Sequence, residues 1–103
     1  MLLIREIMYC KPGKVRAVVD KFLAMSKLGE TMGMPRMKVM TDLSAERYWT
    51  IVAEMEVANL QAFEDMMSGA GGKQEDMKKF DEIMKGYHEL VESGRREIYK
   101  IEG

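Results

Sequence analysis

An α+β fold, four strands in one antiparallel sheet with the helices on one of its faces, follows from three observations. Four segments carry strand chemistry: β-branched and aromatic residues, with apolar positions recurring every second residue. Two longer segments between them switch to helical spacing. Turn and cap residues mark each change of period, at Pro12-Gly13, Asp42, Asn59 and the glycines that follow Ser68. The resulting order is β-α-β-β-α-β with an extra short helix before the last helix. This is the split βαβ, ferredoxin-like arrangement, and right-handed crossovers then put both main helices on the same side of the sheet.

Each element has a local reason. Leu2 to Tyr9 is an apolar run broken only by Arg5 and Glu6, and Ile4, Ile7 and Tyr9 favour a strand. Lys11-Pro12-Gly13-Lys14 ends it, because proline has no N–H to give to a ladder but suits a helix's first turn. From Val15 the apolar residues Val18, Val19, Phe22 and Leu23 line one stripe, predicting an amphipathic helix that stops at Gly29 or at latest Gly33. Met34, before Pro35, is pushed toward extended geometry. Arg36 to Thr41 is predicted as the second strand. Arg47 to Val57 is predicted as the third, with Trp49, Ile51, Ala53, Met55 and Val57 forming an apolar parity. Asn59 is the expected N-cap of a short helix through Met67. Ser68-Gly69-Ala70-Gly71-Gly72 breaks the chain as a mobile connection. A long helix is expected over Gln74 to Ser93, with Met77, Phe80, Met84, Tyr87 and Val91 on its stripe. Gly94 is its expected stop, and Arg95 to Ile101 the closing strand.

Length and composition bound the rest. The 103 residues make a single domain over 1–103, with 47 % hydrophobic and 32 % charged residues, a globular profile. Sixteen basic and seventeen acidic residues are interspersed, which argues against a nucleic-acid partner held by a basic surface. No apolar stretch approaches the roughly 20 residues of a membrane span. The first nine residues lack a basic n-region, so no signal peptide is expected. One cysteine excludes a disulfide framework within the chain and a cysteine zinc site, and a cytoplasmic, reducing setting is expected. Both parities of the first strand, Leu2-Ile4-Met8 and Leu3-Ile7-Tyr9, are largely apolar. A sheet apolar on both faces needs a second cover, and a second copy packed sheet against sheet is the simplest closed solution. A homodimer is therefore expected.

Taken together, the first strand ending in MYCKPGK, the helix opening directly behind it, the hairpin strand RYWTIVAEMEV, the following ANLQAFEDMM and the final helix and strand resemble the dimeric α+β barrels. Within that superfamily the chain resembles NIPSNAP-like and antibiotic-biosynthesis-monooxygenase-like small proteins, over nearly its whole length. The resemblance implies a homodimer with a ligand cavity between sheet and helices. Some members oxidise aromatic substrates or degrade haem; many have no assigned activity, so fold transfers better than function.

Under that implication, the expected pocket walls are Tyr9, Trp49, Met84 and Tyr99, flat or adaptable surfaces for an apolar or aromatic ligand. A cofactor-independent oxygenase or isomerase would need a base and a hydrogen bond to an oxyanion. His88, the one histidine, would be the base, and Tyr87 or Tyr99 the donor. On a continuous helix His88 lies about 40° from Met84, at the border of the apolar stripe; the simpler reading is a histidine partly in water. Haem-degrading relatives use a helix histidine, a tryptophan and a first-strand asparagine. His88 and Trp49 match two of these types, but Leu2 to Tyr9 contains no asparagine. Glu54 and Glu56 share one strand face, with Glu6 expected to approach them, either as an acid/base pair or as a hydrated lumen with ion pairs to Arg36, Lys38 or Arg96. The twelve methionines include Met32, Met34, Met37 and Met40 around the second strand. Thioethers suit cuprous copper, but an extended chain splits these four, and core filling is the plainer reading. No cofactor or metal is expected. The glycine-rich segment before Lys73 follows a helix and lacks the Ser or Thr of a phosphate loop. Cys10 is expected to be exposed and without a histidine partner.

Overall fold

The computed structural model describes residues 1–69 and 72–103, so Ala70 and Gly71, within the expected glycine-rich connection, lie outside the described residues. The elements are β1 (Leu2–Cys10), α1 (Val15–Thr31), β2 (Lys38–Thr41), β3 (Thr50–Val57), α2 (Leu60–Ser68), α3 (Gln74–Met84), α4 (Tyr87–Leu90) and β4 (Val91–Lys100). One four-stranded sheet runs in the order β2-β3-β1-β4, with every neighbouring pair antiparallel. The fold is thus the ferredoxin-like α+β arrangement that the element order predicts.

Register assigns the two faces. Leu2, Ile4, Glu6, Met8 and Cys10 of β1 share one parity, opposite Val57, Met55, Ala53 and Ile51 of β3. This face lies under the helices. Met8, Cys10, Ile51 and Ala53 pack with Val18, Val19 and Phe22 of α1 in one cluster. Ile4 and Val57 pack with Phe63 of α2 in a second. Side chains of this kind stabilise by about 25 cal/mol per Å² removed from water, and it is the helical stripe of α1 meeting the period-2 stripe of β1 and β3 that buries them. The opposite face carries Leu3, Arg5, Ile7 and Tyr9 of β1, with Val52 and Glu54 of β3 and Met40 of β2.

Local chemistry explains the boundaries. The Asn59 side chain accepts a hydrogen bond from the Ala62 amide at 2.8 Å, capping α2 as expected. The Asp42 carboxylate accepts from the Thr50 amide at 2.9 Å and closes the β2–β3 loop.

Five expectations are corrected. β2 begins at Lys38 rather than Arg36. β3 begins at Thr50 rather than Arg47: Trp49 takes a left-handed φ of 60°, which breaks the alternation, and it is 44 % exposed instead of lying beneath the helices. The long helix ends at Met84 because Lys85 leaves helical geometry and Gly86 adopts φ 85°, open to glycine without a Cβ clash. Lys21 of α1 reinforces that end by donating to the carbonyls of Ile83 at 2.9 Å and Lys85 at 2.6 Å. Finally, β4 begins at Val91, and Gly94 sits inside it opposite Met8 instead of stopping a helix. Cys10 is also buried, not exposed, because it ends β1 on the helix-covered parity.

Candidate functional site

The two core clusters do not meet. Between Ile4 and Met8, on the helix-covered parity of β1, stands Glu6. Its carboxylate is held by the Arg96 guanidinium from β4, and the Arg96 side chain lies over the Phe63 ring at 4.9 Å. Tyr87 of α4 packs against the first cluster, edge-on to Phe22 at 6.0 Å between ring centroids. Burial raises the Tyr87 phenol above its usual range, and the negative charge of Glu6 adds to the effect. A carboxylate, a guanidinium and a phenol thus interrupt the apolar layer between sheet and helices.

A cleft opens beside this node, beyond the second cluster. The C-terminal end of α1, the end of β3, α2 and the first turn of α3 enclose about 680 Å³. Val57, Ala58 and Ala62 line it, and methionines from four segments reach it: Met1, Met32 and Met34, Met66, and Met77. Glu56, Asp65 and Asp76 line it too, with Lys73. Gly69 closes α2 in the left-handed conformation at φ 74°, and a Cβ there would stand 2.9 Å from the Met77 methyl, so glycine keeps the cleft's wall thin. A second opening of similar volume, lined by Val15, Arg16, Thr41, Tyr48 and Trp49, lies at the β2–β3 loop.

On the face away from the helices the polar groups form one network. Arg5 donates to Glu54 at 2.8 Å and lies 3.9 Å from Glu97. Glu97 accepts from the Tyr99 hydroxyl at 2.8 Å and from Arg95 at 3.0 Å, and these bonds hold its carboxyl below the usual range. Arg95 also reaches the Tyr9 hydroxyl, and Arg47 stacks 4.1 Å from the centre of the Tyr9 ring. Glu54 is therefore paired with Arg5 rather than with Arg36, Lys38 or Arg96, and Glu6 points to the opposite face of the sheet from Glu54.

The residues expected to form one pocket occupy three places. Met84 and Tyr87 lie under the helix layer; His88 is adjacent, exposed, with its ring 5.3 Å from that of Tyr87. Tyr9 and Tyr99 lie on the far side of the sheet, and Trp49 lines the loop opening. The helical-wheel placement of His88 fails because the helix is broken at Gly86. Met32 and Met34 do converge, but with Met66 and Met77 and not with Met37, which packs on the first cluster, or Met40 on the outer face. Sequence reading missed the inward Glu6, although a signal existed: it is the one charge on the Leu2-Ile4-Met8 parity. It also missed the methionine cleft, whose walls come from segments far apart in the chain. Among the described residues, no group of three or more His, Cys, Asp or Glu side chains could hold a metal ion, and no helix is long and apolar enough to cross a membrane.

No protein family model matches the chain, and no curated protein matches it in sequence. Solved structures do match in shape. An uncharacterized NIPSNAP-like domain protein from Burkholderia xenovorans superposes with a TM-score of 0.71 at 10 % identity, over 97 % of this chain and 84 % of that one. A NIPSNAP family protein from Agrobacterium tumefaciens gives 0.69 at 11 % identity, over 96 % and 90 %. A dimeric protein of unknown function and ferredoxin-like fold from Bacteroides fragilis gives 0.64 at 14 % identity, over 97 % and 96 %. Agreement over nearly the whole length, with the strand order described above, identifies the fold: the chain has the ferredoxin-like α+β architecture of the NIPSNAP-like proteins.

Proposed function

We propose that the chain is a small homodimeric α+β barrel protein that holds a small apolar or aromatic molecule between its helices and its sheet. The observation that carries the binding part is the cleft of about 680 Å³ beside the second core cluster. That volume falls within the roughly 300–1,000 Å³ of small-molecule sites, and its floor is apolar and adaptable. The dimer draws support from the sheet face away from the helices, where half-buried Leu3, Met40 and Val52 share an apolar centre with the buried Ile7, and from the Bacteroides fragilis neighbour described as dimeric. An outer face of this kind is hidden from water by a second copy.

Two measurements test the reading. Sedimentation equilibrium at micromolar concentration should give about twice the 11.8 kDa chain mass; a clean monomer removes the barrel. A thermal-shift screen of apolar and aromatic compounds should find ligands that raise Tm, since a ligand at 100 times its Kd adds about 2.7 kcal/mol. Ala62→Trp, which fills the cleft, should abolish the response, and a response that survives this variant places the ligand elsewhere.

One observation favours a second reading, a cofactor-independent oxygenase or isomerase acting on an aromatic compound. Glu6 and Tyr87 offer a carboxylate base and a phenol donor on the helix-covered side of the sheet. Glu6 takes the base role there in preference to the exposed His88. Turnover of such a substrate that is unaffected by Glu6→Gln defeats this assignment.

A further inference from the structure

The folded chain is a slab of 37 × 37 × 18 Å that leaves 7113 Å² of its surface to water. A compact monomer of 11.8 kDa exposes about 5,900 Å². The excess, about 1,200 Å², is more than the roughly 800 Å² that each partner gives to a standard interface. Part of the exposed apolar surface lies on the β2–β3 loop. Leu43 is fully exposed there, Tyr48 is 86 % exposed, and Trp49 follows it, partly open to water. The backbone that carries them is held by three hydrogen bonds. The Cys10 N–H donates to the Trp49 carbonyl at 2.8 Å, the Thr50 N–H to the Asp42 carboxylate at 2.9 Å, and the Thr50 hydroxyl to the Arg47 carbonyl at 2.8 Å. Covering side chains on a backbone already fixed costs little further ordering.

The loop is continuous with the outer sheet face. Met40 of that face lies two residues before Asp42, and Arg47 of the loop stacks on the Tyr9 ring. Charge selects the partner. Arg5 is matched by Glu54, Arg95 by Glu97, and Arg47 by Glu92, all within the chain. A partner recognised by charge would have to break these pairs, whereas a second surface of the same kind covers them and leaves no charge unpaired. A copy of the chain offers that surface, and two copies close on each other.

We propose that the β2–β3 loop is a contact between copies of this chain, with Leu43, Tyr48 and Trp49 packing against a second copy seated on the outer sheet face. The inference rests on the homodimer reading above and adds the side chains that hold the two copies together. Tyrosine and tryptophan suit the task, because each supplies a large rigid area and keeps a polar tip for the rim.

The test uses the full chain, whose one tryptophan is Trp49. Sedimentation velocity from nanomolar to high micromolar concentration gives the dimer Kd, and tryptophan emission is read on the same samples. Dilution through the Kd should move the emission to longer wavelength as the ring gains water. Leu43→Ser with Tyr48→Ser should weaken the dimer by at least about tenfold. Both side chains are exposed in the single chain, so the variant should keep the far-UV circular dichroism of the parent. Leu60→Ser with Met67→Ser removes exposed apolar surface from α2, on the helix side, and should leave the Kd within about twofold. A parent dimer whose Kd the loop variant leaves within about twofold, or whose emission is the same before and after dissociation, overturns the loop contact and leaves the homodimer standing. A Kd weakened equally by the α2 variant seats the second copy on the helices and overturns the loop contact as well. A parent that stays monomeric throughout overturns both readings.

Discussion

Gly94→Ala separates two structural accounts of the same residue. Gly94 lies in β4, paired with Met8 of the central strand. A Cβ built there falls 2.8 Å from the Ile7 carbonyl oxygen and 3.6 Å from the Met8 Cα. Ordinary contact begins at about 3.4 Å, so about 0.6 Å must be found. The obstacle is backbone, and β1 is held on its other side by β3, so β4 has to give. Moving it by that amount weakens one or two ladder hydrogen bonds, each worth about 1 kcal/mol net. The smaller entropy of an unfolded alanine offsets about 0.4–1 kcal/mol. The expected net loss is about 1–2 kcal/mol, or a fall in Tm of about 4–16 °C for a domain of this size. Equilibrium unfolding in guanidinium chloride, followed by far-UV circular dichroism at one fixed protein concentration, reads it directly, the fixed concentration being needed because a dimer's stability depends on it. Asparagine sharpens the comparison. At a left-handed helix cap Asn is nearly as good as Gly, whereas in a close strand contact its larger side chain is worse than alanine. A Gly94→Ala protein within about 0.5 kcal/mol of the parent, or a Gly94→Asn protein more stable than Gly94→Ala, refutes the close-approach argument.

Three further outcomes follow from the same coordinates. A double-mutant cycle of Arg5→Met and Glu54→Gln should give a coupling of about 1–2 kcal/mol, more than a freely exposed pair, because the Glu54 side chain is only 15 % exposed while Arg5, at 37 %, is partly screened; a coupling near zero shows the pair to be ornamental. Asn59→Ala should lower stability by about 1 kcal/mol through loss of the α2 cap, measured in the same denaturation assay. The Glu97 carboxyl is held low in the folded chain by Tyr99 and then Arg95. Its contribution is therefore present above the unfolded carboxyl's pKa and lost as pH falls through the lower folded value. Glu97→Gln should accordingly flatten the acid limb of the stability–pH curve, and an unchanged limb shows that Glu97 does not contribute.

How much of this was legible in the residues depends on the range of the interaction. The caps and turns are local: Asn59 bonds an amide three residues on, and Asp42 closes the loop to Thr50. Element order follows from spacing alone, since side chains repeat every 2 or 3.6 residues whatever lies nearby; which parity of the sheet the helices cover does not, because both parities of β1 are largely apolar. Where local rules failed, a glycine or a backbone angle carried two meanings. Gly86 and Gly94 both follow apolar stripes; only the packing of β4 against β1 makes the first a helix break and the second a close contact. Trp49 continues an alternating pattern in the sequence, yet it takes a positive φ no alternation announces, while the peptide that follows it is held by the Asp42 carboxylate at the Thr50 N–H and by the Cys10 N–H at the Trp49 carbonyl.

The sequence by itself determined an α+β sheet-and-helix domain and the order of its elements, because hydrophobic periodicity is a one-dimensional property read along each element. Tertiary structure alone decided which chemistry meets. It set Glu6 against Arg96 and Tyr87, separated by some eighty to ninety residues, and put Glu54 on the opposite face with Arg5. It drew Met32, Met66 and Met77 from three segments into one cleft, and left Tyr9, Trp49 and His88 in three separate places. Such convergence depends on strand order and on where helices stop, and neither quantity is carried by the spacing of residues within any single element.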